Sequence, residues 1–290
     1  MESRTSVAPA LALVAVTAVW GSTFFMIKSV VTEIPPLDFL GVRFLVAALA
    51  VLVVWGRRLV RCGVQTWKRG VIAGAAYSSA QVFQTYGLAH ADASVSGFIT
   101  GMYVVLTPVL LFFVLHRAVD RRVWVAVALS TAGLSVLALN GFAVGVGEML
   151  TLVAAFLYAV HIILLDRWAG QENGLDLAAV QVVAIGVILT LAALPGGVAF
   201  PAEPMGWVAI VYMTLIPGLL AIVVQTWAQS RLPATNAAII MTTEPVFAAS
   251  FAIALGGESL TWRLAVGGGL VLTAMLLAEI HPKRKATSEA

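Results

Sequence analysis

The sequence predicts an all-α membrane protein whose ten transmembrane helices form two inverted five-helix repeats. Three observations support this prediction: an apolar composition, ten apolar stretches of spanning length, and a one-sided distribution of basic residues. Of the 290 residues, 61% are hydrophobic and only 11% are charged, whereas soluble proteins carry roughly 25% charged residues. A soluble monomer of this composition would expose large apolar patches, so lipid is the expected solvent.

Ten apolar stretches are long enough to cross a bilayer, which takes about 20 residues. They cover approximately 9–30, 37–55, 70–89, 93–114, 122–140, 148–166, 176–194, 206–229, 235–255 and 262–280. Helices are expected because backbone groups in lipid must pair within their own segment, and no stretch alternates like a barrel strand. The first stretch could instead be a cleaved signal peptide, but its loss would break the repeat described below.

The basic residues indicate how the spans are oriented, because cytoplasmic loops carry an excess of Lys and Arg. With a cytoplasmic N-terminus, the 17 Lys and Arg residues fall in cytoplasmic segments, except Arg263 in an outer loop and Lys28 and Arg43 near the outer ends of spans. Both termini are therefore predicted to be cytoplasmic. The net charge of +3 is spread over short clusters between apolar runs, which argues against a nucleic-acid partner.

The two halves of the chain resemble each other, with predicted repeats at 1–141 and 142–290. The matching segments are Ala18-Val19-Trp20-Gly21 with Ala155-Phe156-Leu157-Tyr158, Gln84-Thr85-Tyr86 with Gln225-Thr226-Trp227, and Thr107-Pro108-Val109 with Glu244-Pro245-Val246. Because five spans is an odd number, the second copy must enter the membrane from the opposite side. Such inverted repeats are common in secondary transporters, which bind substrate near the midplane; the alternative is a chance likeness between apolar helices.

Several short motifs occur in a fixed order along the chain. They are Trp20-Gly21-Ser22-Thr23-Phe24, Arg43-Phe44, Gln84-Thr85-Tyr86-Gly87-Leu88, Thr243-Glu244-Pro245-Val246-Phe247 and Gly257-Glu258-Ser259-Leu260-Thr261. In these residues the chain resembles the EamA-type ten-span carriers of the drug/metabolite transporter superfamily. In the first half the position matching Glu258 falls near His116 and Arg117, so that copy of the motif is degraded. The resemblance implies a carrier of small metabolites in a bacterial inner membrane and leaves its substrate open.

Polar side chains within the spans mark a candidate substrate cavity, because such groups are costly in lipid unless they face protein or water. Two stripes recur at helical spacing: Tyr77, Gln81 and Gln84 in span 3, and Ser96, Thr100, Tyr103 and Thr107 in span 4. The predicted cavity residues are Trp20, Phe24, Tyr77, Gln81, Gln84, Thr100, Tyr103, Tyr158, His161 and Thr243. The alternatives are interhelical packing by the polar residues, interface anchoring by Trp20, and a neutral buried role for His161 in place of a proton relay.

Glu244 is the acidic residue placed deepest in a predicted span, where an ionised carboxylate costs about 2.5–3.5 kcal/mol. It could couple transport to a proton, or it could pair with Arg43 or Lys28. Arg43 could itself anchor span 2 or meet a substrate carboxylate. Three prolines, Pro108, Pro217 and Pro245, are candidate hinges for alternating access, or they mark static bends.

Other function classes lack their motifs. The chain has no P-loop, HExxH, GxSxG or CxxC sequence, and its single cysteine, Cys62, has no partner for a disulfide or a metal site. No cofactor or metal is expected, and His161 with Glu244 is the only pair that could serve an embedded enzyme. The expected function is therefore a secondary carrier that exports an amino-acid-like or drug-like metabolite, with a channel as the alternative. Expected partners are the lipid bilayer, the substrate, a coupling proton and a second copy of the chain.

Overall fold

The computed structural model describes residues 7–115, 120–140, 143–168, 171–221, 224–225, 228, 231–232 and 240–279. Both termini, the segment around His116 and Arg117, and the predicted repeat copy at Thr226 and Trp227 lie outside these residues. The regular secondary structure of the described part is helical apart from a two-residue antiparallel pairing, Leu139–Asn140 with Ala143–Val144.

Eleven α-helices and one π-helical segment make up the described part of the fold. The α-helices are α1 (Val7–Val30), α2 (Pro36–Leu59), α3 (Val64–Leu88), α4 (Ala93–Gly101), α5 (Tyr103–Leu115), α6 (Arg121–Ala138), α7 (Val146–Trp168), α8 (Gly174–Ala193), α9 (Pro204–Met213), α10 (Glu244–Ala254) and α11 (Trp262–Glu279). The π-helical segment, Thr214–Leu220, continues directly from α9 and contains Pro217.

Within the described residues, six segments are long and apolar enough to cross a bilayer: α1, α2, Ala93–Phe113 in α4 and α5, α6, α7 and α8. Three shorter apolar segments accompany them, at Pro204–Leu220, Glu244–Ala254 and Trp262–Ala278. Helix α3 has 25 residues but is less apolar than these six segments, because it carries the polar side chains of Tyr77, Gln81 and Gln84. The chain is therefore a multi-pass helical membrane protein.

Two predicted spans are interrupted where the sequence suggested continuous helices. The predicted span 93–114 divides at Met102, between α4 and α5. In the predicted span 235–255, the turn at 242–243 precedes Glu244, which begins α10, and Pro245 occupies its first turn. An N–H group in the first turn of a helix has no partner within the helix, so a proline loses no hydrogen bond there. Pro245 therefore starts a helix and does not kink one. Pro108 lies inside α5, six residues after the break at Met102.

The helices pack in pairs that join the two halves of the chain. Helix α2 packs along α8, α3 along α7, and α6 along α11, while α10 lies between α1 and α4. A Cβ atom at Gly21 of α1 would lie 2.7 Å from the backbone nitrogen of Ala248, and one at Gly97 of α4 would lie 2.7 Å from the Ala248 Cβ. Larger residues at Gly21 or Gly97 would therefore push α10 away from its neighbours.

The glycines of the predicted spans 5 and 10 pack against each other within one chain. A Cβ atom at Gly133 would lie 2.8 Å from the carbonyl oxygen of Gly267, and one at Gly267 would lie 2.9 Å from the carbonyl oxygen of Gly133. This close approach holds α6 against α11. Gly269 has open space beside it, so it takes no part in that contact.

Candidate functional site

A buried hydrogen-bond network joins α3, α7 and α4 at the centre of the molecule. The amide nitrogen Nε2 of Gln81 donates to the hydroxyl of Tyr158 at 2.6 Å and to that of Tyr77 at 3.1 Å. The Tyr158 hydroxyl donates to Gln84 Oε1 at 2.7 Å, and Gln84 Nε2 donates to Thr100 Oγ1 at 3.3 Å. These five residues, here called the central network, include the three polar residues predicted to share one face of span 3.

Aromatic rings and one histidine surround the central network. The Tyr77 ring meets the Tyr158 ring edge to face at a centroid distance of 5.6 Å, and it meets the His161 ring in the same way at 5.2 Å. His161 is buried, and the side chain of Gln181 lies close to its imidazole. Within the described part of the chain, His161 Nε2 and Gln81 Oε1 are buried polar atoms without a hydrogen-bond partner. Such atoms are suited to bind the polar groups of a small molecule.

Arg43 is a buried cation beside this network, with 7% of its surface exposed. Its guanidinium lies 5.1 Å from the centroid of the Phe44 ring and 6.0 Å from that of Phe39. Its Nη2 donates to the carbonyl oxygen of Met213 at 3.4 Å. Pro217, one turn later in the chain, has no N–H group that could bond to this carbonyl. Among the described residues no carboxylate forms a salt bridge with Arg43.

Glu244 lies at the first position of α10. In the described part of the chain it forms no salt bridge; the predicted pairing with Lys28 is replaced by contacts of Lys28 with Asp92 and Glu258. The N-terminus of a helix carries a partial positive charge, which favours a carboxylate there. The break in the span therefore gives Glu244 an electrostatic environment that a continuous helix would not provide.

Both charged groups lie near the central network. Arg43 and Glu244 both interact electrostatically with Tyr77 and Tyr158. The Arg43 guanidinium lies over the Phe44 ring, whose edge meets Tyr77 at 6.2 Å. A Cβ atom on Gly101, the neighbour of Thr100, would lie 2.8 Å from Pro245 Cγ. A cation and an anion thus both lie near the same buried tyrosine and glutamine side chains, and they form no salt bridge with each other in the described part of the chain.

The remaining predicted cavity residues lie outside this network. The Trp20 indole donates to the carbonyl oxygen of Pro217 at 3.0 Å, which ties α1 to the π-helical segment, and Phe24 is buried in the apolar core. The Thr243 hydroxyl shares a hydrogen bond with Thr17. Tyr103 packs beside the Tyr77 and Tyr158 rings. Tyr103 therefore borders the network, and Tyr77 also packs against the apolar cluster that contains Phe24.

A second polar cluster closes one end of the molecule, and the sequence motifs did not indicate its geometry. Glu258 accepts hydrogen bonds from the backbone nitrogen of Ala93 at 2.6 Å and from both the backbone nitrogen and hydroxyl of Ser94. Its carboxylate also lies 3.4 Å from the Lys28 ammonium, which meets Asp92 at 3.0 Å. Glu258 therefore caps the N-terminus of α4 from a distant loop.

The opposite end of the molecule carries its own ion pairs. Arg69 of α3 forms a salt bridge with Glu172 at 2.7 Å, and the Thr66 hydroxyl donates to the same carboxylate at 2.6 Å. Arg58 at the end of α2 pairs with Asp176 at the start of α8. These contacts join the first and second halves of the chain at this end.

A bundle of membrane-spanning helices around a buried polar centre, with charged clusters at both ends, defines a membrane transport protein. Among the described residues, no group of His, Cys, Asp and Glu side chains could hold a metal ion. The sequence profile of the EamA-like transporter family matches two segments, residues 8–139 and 145–279. The chain belongs to the EamA-like transporter family and is a membrane transporter of the EamA type.

Similar proteins carry compatible descriptions. An uncharacterized transporter of Archaeoglobus fulgidus is 29% identical over 274 residues, which cover 93% of this chain and 85% of that protein. The uncharacterized inner membrane transporter YedA of Escherichia coli K12 is 27% identical over 281 residues, with coverages of 93% and 90%. One solved crystal structure aligns with 93% of this chain and 96% of its own, with a TM-score of 0.66 and 15% identity; that likeness concerns the fold alone.

Proposed function

We propose that the chain is a secondary carrier that exports a small amino-acid-like metabolite by alternating access. The observation that carries this proposal is that Arg43 and Glu244 both lie near the central network and form no salt bridge in the described part of the chain. A buried guanidinium without a carboxylate partner in the described part of the chain is suited to bind a substrate carboxylate. The Glu244 carboxylate is suited to bind a substrate ammonium group or a proton.

The proposed architecture has ten spans in two inverted repeats, at 1–141 and 142–290. The two separate family matches, 8–139 and 145–279, support this division. The packing supports it as well: α1 meets α10 in span 9, and α7 in span 6 meets α4 and α5 in span 4. Exchanging the halves converts the first of these contacts into the second, as an internal pseudo-two-fold axis requires.

The proposed membrane is the bacterial inner membrane, with both termini in the cytoplasm. This orientation places the Arg69–Glu172 contact at the cytoplasmic end and the Glu258 cluster at the outer end. Substrate in the central network would be released by rocking of one half against the other, so that one set of end contacts opens while the other stays closed. The breaks at Met102 and before Glu244, with the π-helical segment around Pro217, are the proposed points of bending.

The proposal is tested with purified protein in liposomes and a panel of labelled amino acids and their amides. Uptake or efflux by the natural chain should saturate, should be competed by unlabelled substrate, and should be stimulated by a pH gradient. The Glu244→Gln variant should lose the stimulation by the gradient and keep its melting temperature. The Glu203→Gln variant is the matched control, because Glu203 is exposed in a loop and makes no capping contact.

The Arg43→Gln variant tests the substrate class. With the natural chain, free amino acids should compete with substrate at least tenfold better than their amides, since a hydrogen bond between charged groups contributes about 1.5–3 kcal/mol. Arg43→Gln should abolish this difference. Full gradient-driven transport by Glu244→Gln would remove proton coupling at that residue, and equal competition by acids and amides with the natural chain would exclude a carboxylate site.

A channel is the second candidate function, and it predicts a different flux. A channel would pass solute without saturation and without exchange of labelled for unlabelled substrate. Counterflow in liposomes that contain no gradient would support a carrier. A linear, non-competable flux would favour the channel.

A further inference from the structure

A cavity of about 370 Å³ lies between α3 and α7, at the end of the molecule that carries the Arg69–Glu172 pair. Its walls include three basic residues, Lys68, Arg69 and Arg167, together with Trp168. One wall comes from each half of the chain. The cavity is separate from the central network and takes no part in the proposed transport site.

Two of the three basic residues in this cavity form no salt bridge within the part of the chain that the structure describes. Arg69 is paired with Glu172, whereas Lys68 and Arg167 form no salt bridge with any described residue and both are exposed. The neighbouring acid, Asp166, does not line the cavity. The cavity therefore holds two positive charges without a carboxylate partner among the described residues. These charges favour the binding of an anion.

The cavity is amphipathic along the direction of the helices. Ile72 of α3 lies one turn deeper in its span than Lys68, and Leu164 of α7 lies nearly one turn deeper than Arg167. Ile72 is 41% exposed, so its side chain is accessible to an acyl chain. A phospholipid has its chemical groups in the matching order, with an anionic phosphate at the interface and an acyl chain beneath it. Trp168 adds an indole, which favours the interfacial region.

We propose that this cavity binds the head group of one anionic phospholipid, with its phosphate on Lys68 and Arg167 and an acyl chain along Ile72 and Leu164. Basic pockets between transmembrane helices at the cytoplasmic surface bind anionic lipid head groups in this way. Only the choice of leaflet rests on the proposed orientation, which places the cavity in the cytoplasmic one. A soluble phosphate compound would satisfy the two charges but would leave the aliphatic floor unused.

Native mass spectrometry of the purified chain tests this proposal with phosphatidylglycerol and phosphatidylcholine of identical acyl chains. The natural chain should retain one phosphatidylglycerol in preference to phosphatidylcholine. Lys68→Gln and Arg167→Gln should each weaken that preference about fivefold, and the double variant about thirtyfold, as expected for the loss of one basic contact each. The double variant Arg57→Gln/Arg61→Gln is the matched control, because it removes the same charge from exposed residues outside the cavity.

Each outcome of this experiment decides the question. Loss of the preference in the Lys68/Arg167 double variant alone supports the lipid site. Equal binding of both lipids by the natural chain, or an equal loss in both double variants, overturns it. Inorganic phosphate and glycerol 1-phosphate form a further arm: displacement of the lipid by either at micromolar concentration assigns the cavity to a soluble anion. None of these readouts requires transport, so they stay separable from the proposed carrier function.

Discussion

Replacing Glu258 tests whether the contact between its loop and α4 stabilises the fold. The carboxylate caps α4 through Ala93 and Ser94 and lies beside Lys28, and its side chain is only 11% exposed. Gly257 makes this geometry accessible, since its φ of +73° lies in the left-handed region that favours glycine. The cap joins the second half of the chain to the first, so it must break if the halves separate at this end.

The expected cost follows from the contacts that each variant loses. Glu258→Ala removes the acceptor for two backbone N–H groups and one hydroxyl, and it removes the partner of Lys28. The loss of a helix cap costs about 0.5–2 kcal/mol, and a buried donor left without a partner costs about 1–3 kcal/mol. We therefore expect a loss of roughly 2–4 kcal/mol for Glu258→Ala. Glu258→Gln keeps one acceptor oxygen but no charge, so its loss should be roughly 1–2 kcal/mol.

Thermal unfolding of the detergent-solubilised variants measures this ranking. Glu258→Ala should melt at the lowest temperature, Glu258→Gln at an intermediate one, and Glu203→Gln together with the natural chain at the highest. Glu203 also precedes a helix in a loop, but its side chain makes no capping hydrogen bond. If Glu258→Ala melts at the same temperature as the natural chain, or if Glu203→Gln is destabilised as much as Glu258→Ala, the cap does not stabilise the fold.

Two further predictions concern the central network and the orientation. Tyr158→Phe should lower the free energy of unfolding by about 1–3 kcal/mol, because the hydroxyl joins two buried glutamine side chains. Tyr77→Phe loses one hydrogen bond of 3.1 Å and should lower it by less. Equal melting temperatures of the two variants would refute this ranking. A membrane-impermeant maleimide should label Cys62 only after the cells are permeabilised. The double variant Cys62→Ser/Thr32→Cys should be labelled in intact cells. Labelling of Cys62 in intact cells would show that the orientation is the reverse of the proposed one. Burial raises the pKa of the Cys62 thiol, so its labelling should accelerate with increasing pH as thiolate forms.

The sequence was most informative where a pattern depends on one helix alone. Tyr77, Gln81 and Gln84 recur at i, i+4 and i+7, and the structure brings all three into the central network. The positions of the long spans followed from apolar length, because lipid requires about 20 residues to cross. Helix α3 begins at Val64, six residues before the predicted start at 70, because its first turns are polar and lie at the membrane surface.

The sequence was least informative where the geometry depends on contacts between distant segments. Glu258 belongs to a short motif, but its partner Ser94 is separated from it by 164 residues, and no local pattern indicates such a contact. The Trp20 indole donates to the Pro217 carbonyl, a contact that its aromatic character alone does not indicate. The helix break before Glu244 was also missed, since a proline within an apolar run is compatible with either a kink or a new helix.

The helix breaks and the unpaired charges have a common physical basis. A continuous span satisfies its own backbone, so it offers no polar group to a substrate in lipid. The break before Glu244 places a carboxylate at a helix N-terminus, and Arg43 contacts the Met213 carbonyl at the start of the π-helical segment, where Pro217 cannot serve as the α-helical donor. Both charged groups therefore lie beside interrupted helices, and they do not pair with each other in the described part of the chain. Two opposite charges near the central network that are not neutralised by each other are the groups that a substrate carrying both charges would bind.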